Sequence, residues 1–509
     1  MKQFYLLLIA VIAFAQCAGL NAQTDKKASA DIPKAPREFR GAWVATVSNI
    51  DWPSSPALST EQQKSELVAI LDKAVELNLN AIVFQVRPAC DAMYDSKIEP
   101  WSEYLTGQQG KAPEPYYDPL KFIVEEAHKR GLELHTWFNP YRAWHPSAKS
   151  EPAPNHVSKA KPKITKSYGK HLWLDPGEKE TREHTISVIM DVVNRYDIDG
   201  VHIDDYFYPY KEKDKDKKTI EFPDEASYKK YVDAGGTLQR NNWRRDNVNR
   251  FVERFYKDVK TAKSWVKVGI SPFGIWKPGY PSQVKGFDQY EELYADAKLW
   301  LNRGWVDYWT PQLYWKTSSP EQSFPVLLAW WAGENKKERN LWPGLFTSRV
   351  SDREQSWPAS EIVNQIKLTR AQPGATGDVH FSMKALMKNA GHINDYLTSP
   401  AQDIYCKTAI VPASPWLDKT APAEPTVALK DSEDGSKLLS WKAGSNDKDI
   451  RWWLLSILTD GKWNYKTLPA DKMSFEIKKD GDKPLPSMIA VSAINRVGNE
   501  SPPTAQSIK

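Results

Sequence analysis

"YDIDGVHIDDYFYP", residues 196 to 209, runs from alternating apolar positions into two adjacent carboxylates, Asp204 and Asp205, and then a cluster of aromatics. Strand side chains alternate between two faces. In a barrel of parallel strands those faces are the interior and the helix layer, and the loops after the C-terminal ends build the active face. Setting Val201 and Ile203 against helices sends His202 and Asp204 inward and leaves Asp205 at the rim. Both carboxylates then reach one pocket. Carboxyls that close do not ionise together easily, and desolvation raises one further, which yields an acid beside a base. Cleaving a glycosidic bond needs that pairing, one group protonating the departing oxygen while another sets negative charge against an oxocarbenium-like centre. A helix cap or a metal-ligand pair is the plainer use of an Asp-Asp dipeptide. Its place at a strand end, ahead of "YFYP", favours catalysis.

The stretch is the fourth of eight similar runs. Before it come "EFRGAWVATV" (38–47), "AIVFQVRP" (81–88) and "LELHTWFNP" (132–140). After it come "VKVGISPFG" (266–274), "VDYWTPQLYW" (306–315), "LWPGLFTS" (341–348) and "DVHFSMKAL" (378–386). Helix-length segments separate them. One opens at Thr60 with a capping box to Gln63, another has Asp118 as N-cap, Pro119 at the first position and Gly131 just past its end, and a third covers about 179 to 195. Eight strand–helix units predict an α/β fold closed as a (β/α)8 TIM barrel over 38–408. A doubly wound open sheet is the rival, weakened because no glycine-rich phosphate loop follows the first strand.

Polar and aromatic groups crowd the strand ends in a way a sealed core would not. Gln85 and Arg87 end the second strand; His135, Trp137, Asn139 and Arg142 surround the third; Ser271 ends the fifth; Gln312 and Tyr314 end the sixth. A convergent polar ligand would satisfy them. The expected substrate-binding set is Gln85, Arg87, Trp137, Asn139, Arg142, His202, Tyr206, Ser271, Trp276, Gln312 and Tyr314, around catalytic Asp204 and Asp205. Plainer readings stand beside it: Arg87 pairing with Asp91, Asn139 capping a turn, His202 as a satisfied core histidine. Of Tyr206, Phe207, Tyr208, Trp276, Trp309 and Trp315, about half would pack beneath loops and the rest form walls for sugar faces. No zinc-type histidine cluster and no serine nucleophile elbow occurs, so neither metal nor cofactor is expected.

The chain of 509 residues balances 69 Lys plus Arg against 64 Asp plus Glu, and a formal charge of +5 does not call for nucleic acid as partner. The 22 Trp and 22 Tyr suit carbohydrate. Lys2 followed by "FYLLLIAVIAFA" and small residues reads as a secretory signal peptide, 1–22, cleaved after Ala22. The protein is therefore expected to be exported and periplasmic or envelope-associated. Cys17 raises a lipid anchor as the competing fate, although Gln16 fits a lipobox poorly. Cys90 and Cys406 stand far apart, in no metal or redox spacing. Residues 23–37 read as a polar tether and 409–424 as a proline-rich linker. From 425 to 509 strands follow one another without helices, as "TVALKD", "KLLSWKA", "RWWLLSIL", "MSFEIKK" and "SMIAVSAINRVGNES", predicting a small all-β, immunoglobulin-like sandwich. With Trp441 on an early strand and the ending "VSAINRVGNES", it resembles a fibronectin type III module. It is expected to space the barrel or dock it to a cell-envelope protein.

Seven ordered blocks of the barrel resemble a known family. "REFRGAWVATVSNIDWPS" (37–54), "FQVRPACDAMYDS" (84–96), "HTWFNPYR" (135–142), "LDPG" (174–177), "DGVHIDDYFYP" (199–209), "WRRDNVNRFV" (243–252) and "ISPFGIW" (270–276) are similar to the bacterial glycosyl-hydrolase-like family ten, formerly a domain of unknown function. The resemblance covers roughly 37–400. It implies an exported barrel acting on polysaccharide, plausibly N-acetylated peptidoglycan glycan, with the fourth-strand pair in the active centre. A retaining glycosidase of the best-known barrel clan would place a Glu at the end of strand seven, and "LWPGLFTSR" has none. The adjacent pair could then work alone, with the substrate's own acetamido oxygen attacking C1, Asp204 orienting it and Asp205 as the acid, or the reverse. A non-catalytic glycan-binding barrel is the alternative.

Overall fold

A computed structural model of the chain describes residues 32–432, 435–444, 449–478 and 484–508. The expected signal segment with Cys17, and residues 23–31 of the tether, lie outside the described residues. Each of the eight runs holds one parallel strand: β1 (Phe39–Val44), β2 (Ala81–Arg87), β3 (Glu133–Phe138), β4 (Gly200–Ile203), β5 (Lys267–Ile270), β6 (Tyr308–Trp309), β7 in two halves (Asn340–Leu341 and Gly344–Leu345) and β8 (Gly377–His380). The first half of β7 pairs with β6 and the second with β8. Between the halves, Trp342 N donates to Trp309 O at 2.9 Å and Pro343 O accepts from Val379 N at 3.1 Å. The split strand thus joins both margins of the sheet and closes the (β/α)8 barrel, leaving no free edge.

Alternation decides what fills each side. Val201, Ile203, Val268 and Ile270 pack with the helices, whereas Phe39, Trp43, Val83, Trp137, Tyr308 and Trp342 fill the interior. Phe39 stacks on Trp342 at 3.7 Å between ring centroids. Rings of this size fit because neighbouring inward positions lack side chains. A Cβ on Gly269 would stand 1.9 Å from the Tyr308 ring, and one on Gly200 2.4 Å from His135.

Besides further loop helices, one principal helix follows each of β1 to β7: α1 (Thr60–Glu76), α2 (Pro119–Lys129), α3 (Lys179–Arg195), α4 (Arg240–Ala262), α5 (Ala297–Arg303), α6 (Phe324–Glu334) and α7 (Ala359–Ala371). Asp118 caps α2 by accepting from Leu120 N and Lys121 N, and Gly131 beyond its end has φ of 76°. The α1 capping box sits one residue earlier than expected, on Ser59 and Gln62. Gln63 is unavailable for capping because its buried amide donates to Leu58 O and Leu105 O and accepts from Tyr117 OH. The loop after β3 carries an unforeseen three-stranded antiparallel sheet: Arg142–Trp144, His171–Leu174 and Thr165–Tyr168.

The C-terminal region forms two antiparallel sheets. One contains β9 (Thr426–Asp431), β10 (Lys437–Lys442) and β13 (Ser474–Ile477); the other contains β11 (Ile450–Thr459), β12 (Lys462–Pro469), β14 (Met488–Asn495) and β15 (Thr504–Ser507). They enclose Leu439, Trp441, Trp453, Leu455, Ile489 and Val491. Strands β12 and β15 were not foreseen. The β12 side chains alternate between half-buried and exposed, so the segment lacks an apolar signature.

The sandwich sits under the N-terminal ends of the barrel strands. Arg451 pairs with Asp199, which precedes β4, at 2.9 Å, and Arg496 with Asp197 at 2.7 Å. The expected linker is not free chain. Glu38 N donates to Ile410 O at 3.1 Å, Ser414 N to Val497 O at 2.8 Å, and Trp416 Nε1 to Asp307 Oδ1 at 2.8 Å. Proline keeps this stretch extended, and its apolar side chains seat it against both bodies.

Candidate active site

The C-terminal ends of the barrel strands surround a cavity of about 170 Å³, lined by both aspartates. Asp204 and Asp205 are almost wholly buried. Asp204 Oδ2 accepts from Trp137 Nε1 at 3.0 Å and Asn139 Nδ2 at 3.2 Å, both from the adjoining end of β3. Asp205 Oδ2 accepts from the Tyr210 hydroxyl. Burial pushes Asp204 up to about 7; Arg142 opposes this and the charge of Asp205 adds to it. Burial also raises Asp205, against hydrogen bonds from Tyr210 and Gln312. Charged forms are disfavoured where carboxyls are so buried, and two adjacent charges more so. The pair therefore retains a proton on Asp204 at pH below about 7.

Of the expected binding residues, Gln85, Trp137, Arg142, Tyr206, Ser271, Gln312 and Tyr314 line the cavity. Gln85 Oε1 accepts from Thr46 N and Val47 N, each at 2.9 Å, which fixes the amide and leaves buried Nε2 with no hydrogen-bond partner among the described residues. Arg142 is held by Pro88 O at 3.0 Å and lies over the Tyr206 ring at 4.9 Å.

Four expected residues are placed otherwise. Arg87 is fully buried, pairing with Glu99 at 2.5 Å rather than Asp91, and donating to Asn139 O and Pro140 O. It braces the turn after β3 and lines no part of the cavity. Asn139 lies behind Asp204, its Oδ1 accepting from Tyr141 N and Arg142 N, so it combines the turn-capping reading with support of a carboxylate. His202 is buried one layer down. Trp276 stands outside the cavity lining, stacked at 5.9 Å on Trp330. Phe207, Tyr208 and Trp309 are core residues.

Sequence reasoning missed Trp43, Tyr210 and Phe381, which also line the cavity. Trp43 had a readable signal, since Phe39, Gly41, Trp43 and Ala45 share one face of β1. Tyr210 and Phe381 follow strand ends, where period carries no information.

Comparison with known proteins follows the barrel. Residues 38–359 match the family model described as Glycosyl hydrolase-like 10. The chain is 41% identical over 416 residues to Glycosyl hydrolase YngK of Bacillus subtilis (strain 168), covering 80% of this chain and 79% of that protein. It is 33% identical over 393 residues to Glycosyl hydrolase DigH of Escherichia coli (strain K12), covering 71% and 87% respectively.

Proposed function

Because the chain belongs to the glycosyl hydrolase-like 10 family, we propose that it is an exported glycoside hydrolase acting on N-acetylated cell-wall glycan strands. The observation that carries the reading is the pairing of Asp204, raised to about 7, with Asp205 in one cavity ringed by Trp43, Trp137, Tyr206 and Tyr314. Asp204 keeps a proton at pH below about 7 and donates it to the departing glycosidic oxygen. Asp205, with Tyr210 and Gln312 as donors, carries the charge that orients the acetamido group or faces the oxocarbenium-like centre. This is the reverse of the order named first above, and the raising of Asp204 to about 7 supports it.

The sandwich lies on the opposite end of the barrel and leaves the cavity open, which suits a role in spacing the enzyme or holding it to a cell-envelope protein. The signal-like N-terminus supports export. The test is release of reducing ends from denuded peptidoglycan strands. Wild-type protein should produce them, and Asp204→Asn and Asp205→Asn should each lose at least about a hundredfold in rate. Undiminished rates in both variants would remove the catalytic assignment. Tight binding without products would make the protein a glycan binder.

A further inference from the structure

Beneath the aspartates a line of hydrogen bonds runs the length of the barrel interior. Lys267 Nζ donates to Glu133 Oε1 at 2.7 Å; Glu133 Oε2 meets His135 Nε2 at 3.0 Å; His135 Nδ1 meets Tyr308 OH at 2.9 Å; Tyr308 OH meets His202 Nδ1 at 3.2 Å; His202 Nε2 meets Ser271 Oγ at 2.9 Å. Every member is almost wholly buried, and only Ser271 touches the cavity.

One-way groups at both ends fix the direction of the hydrogens. Trp43 Nε1, a donor only, points at His202 Nε2 from 3.3 Å, so that nitrogen holds a lone pair. His202 then carries its hydrogen on Nδ1 and gives it to Tyr308 oxygen. The tyrosine hydrogen turns to His135 Nδ1, and His135 donates from Nε2 to the Glu133 carboxylate, which Lys267 keeps charged. A doubly protonated His135 would point a second N–H at Tyr308 and leave the phenol hydrogen with no acceptor. Burial, which holds His202 well below the usual histidine range, agrees with a neutral ring. With Nε2 bare, Ser271 Oγ–H, the nearer donor at 2.9 Å, points down to it and shares its one lone pair with Trp43 Nε1–H, and the serine lone pairs are left for the cavity. Gln85 Nε2 supplies the opposite sense, a buried donor without a partner among the described residues.

We propose that Ser271 is a specificity-determining residue, a fixed hydrogen-bond acceptor paired with the fixed donor of Gln85 to read an acetamido group, and that His202, Tyr308, His135 and Glu133 are positioning residues for its hydrogen. The proposal rests on the glycan reading above and adds which residues read the amide and what orients them.

The proton order can be read without any sugar, by histidine-selective 15N NMR on the full chain. His202 should show Nδ1 protonated and Nε2 bare from pH 5 to 8, and His135 should carry a hydrogen on Nε2. In Tyr308→Phe, whose ring keeps its stacking on Trp342 at 4.7 Å, His202 should become a mixture of tautomers. A protonated Nε2 or a charged ring on His202 in the wild-type protein would overturn the proposal. Calorimetric titration with tri-N-acetylchitotriose is the second arm. Ser271→Ala should bind about tenfold more weakly, the loss of one neutral hydrogen bond, and Ser271→Thr should recover most of it. Equal binding by wild type and Ser271→Ala would refute the acceptor role alone. Absence of binding by the wild-type protein would refute it together with the glycan reading.

Discussion

Replacing Asp204 by Asn should abolish turnover yet stabilise the fold, and the gain should grow with pH. In the folded protein this carboxyl is raised from an ordinary 3.8 to about 7. Below pH 3.8 both folded and unfolded chains are protonated, and the group has no effect on the balance. Between 3.8 and about 7 the unfolded chain releases the proton while the folded chain retains it, so stability falls as pH rises. Above 7 the loss levels off at about 4 kcal/mol. Asparagine has no proton to release, and its side-chain oxygen can still accept from Trp137 Nε1 and Asn139 Nδ2. Urea denaturation at pH 4, 6 and 8 measures the difference. Asp204→Asn should lie close to wild type at pH 4 and exceed it by about 4 kcal/mol at pH 8. An offset independent of pH would mean that Asp204 ionises as an ordinary surface aspartate, and the proton placement argued for the site would fall with it.

The pH–rate profile of the wild-type protein should lose activity on the alkaline side near 7 as Asp204 gives up its proton. Trp137→Phe, which removes a donor to the charged form, should move that limb to higher pH. Arg87→Met should cost about 3–5 kcal/mol in urea denaturation, because it strands buried Glu99, and adding Glu99→Gln should restore much of it. Against burial, Arg87 and His184 hold Glu99 at about 2, so the stability from this trio is present above the usual glutamate range and lost as pH falls toward 2; the variant should show a weaker acid limb. Arg451→Ala leaves Asp199 buried and poorly compensated at the barrel–sandwich contact. It should lower stability by about 3 kcal/mol and separate the calorimetric melting of the two bodies, while steady-state hydrolysis below the transition stays unchanged.

The barrel was legible because its signal is local. Each run carries its own period of two, each helix its own cap, and eight such units in a row admit few topologies. The same local rule brought Asp204 and Asp205 to the end of β4 and put Val201 and Ile203 on the helix side. Where period was absent, expectation failed: β12, the small sheet after β3 and the seating of residues 409–416 have no alternating apolar pattern of their own.

Tertiary structure decided which polar strand ends face the cavity. Arg87 finds Glu99 only 12 positions on, yet the loop bringing Glu99 back had no readable pattern. Trp137 meets Asp204 across 67 positions and His202 meets Tyr308 across 106. The first pairing depends on β3 lying beside β4, and the second on the curl of the sheet, which makes strands that are not neighbours share one interior. The inequality between two neighbouring carboxyls has the same origin. A sequence shows two identical aspartates, and only the packed site gives Asp204 the Trp137 indole and Asp205 the Tyr210 hydroxyl as donors.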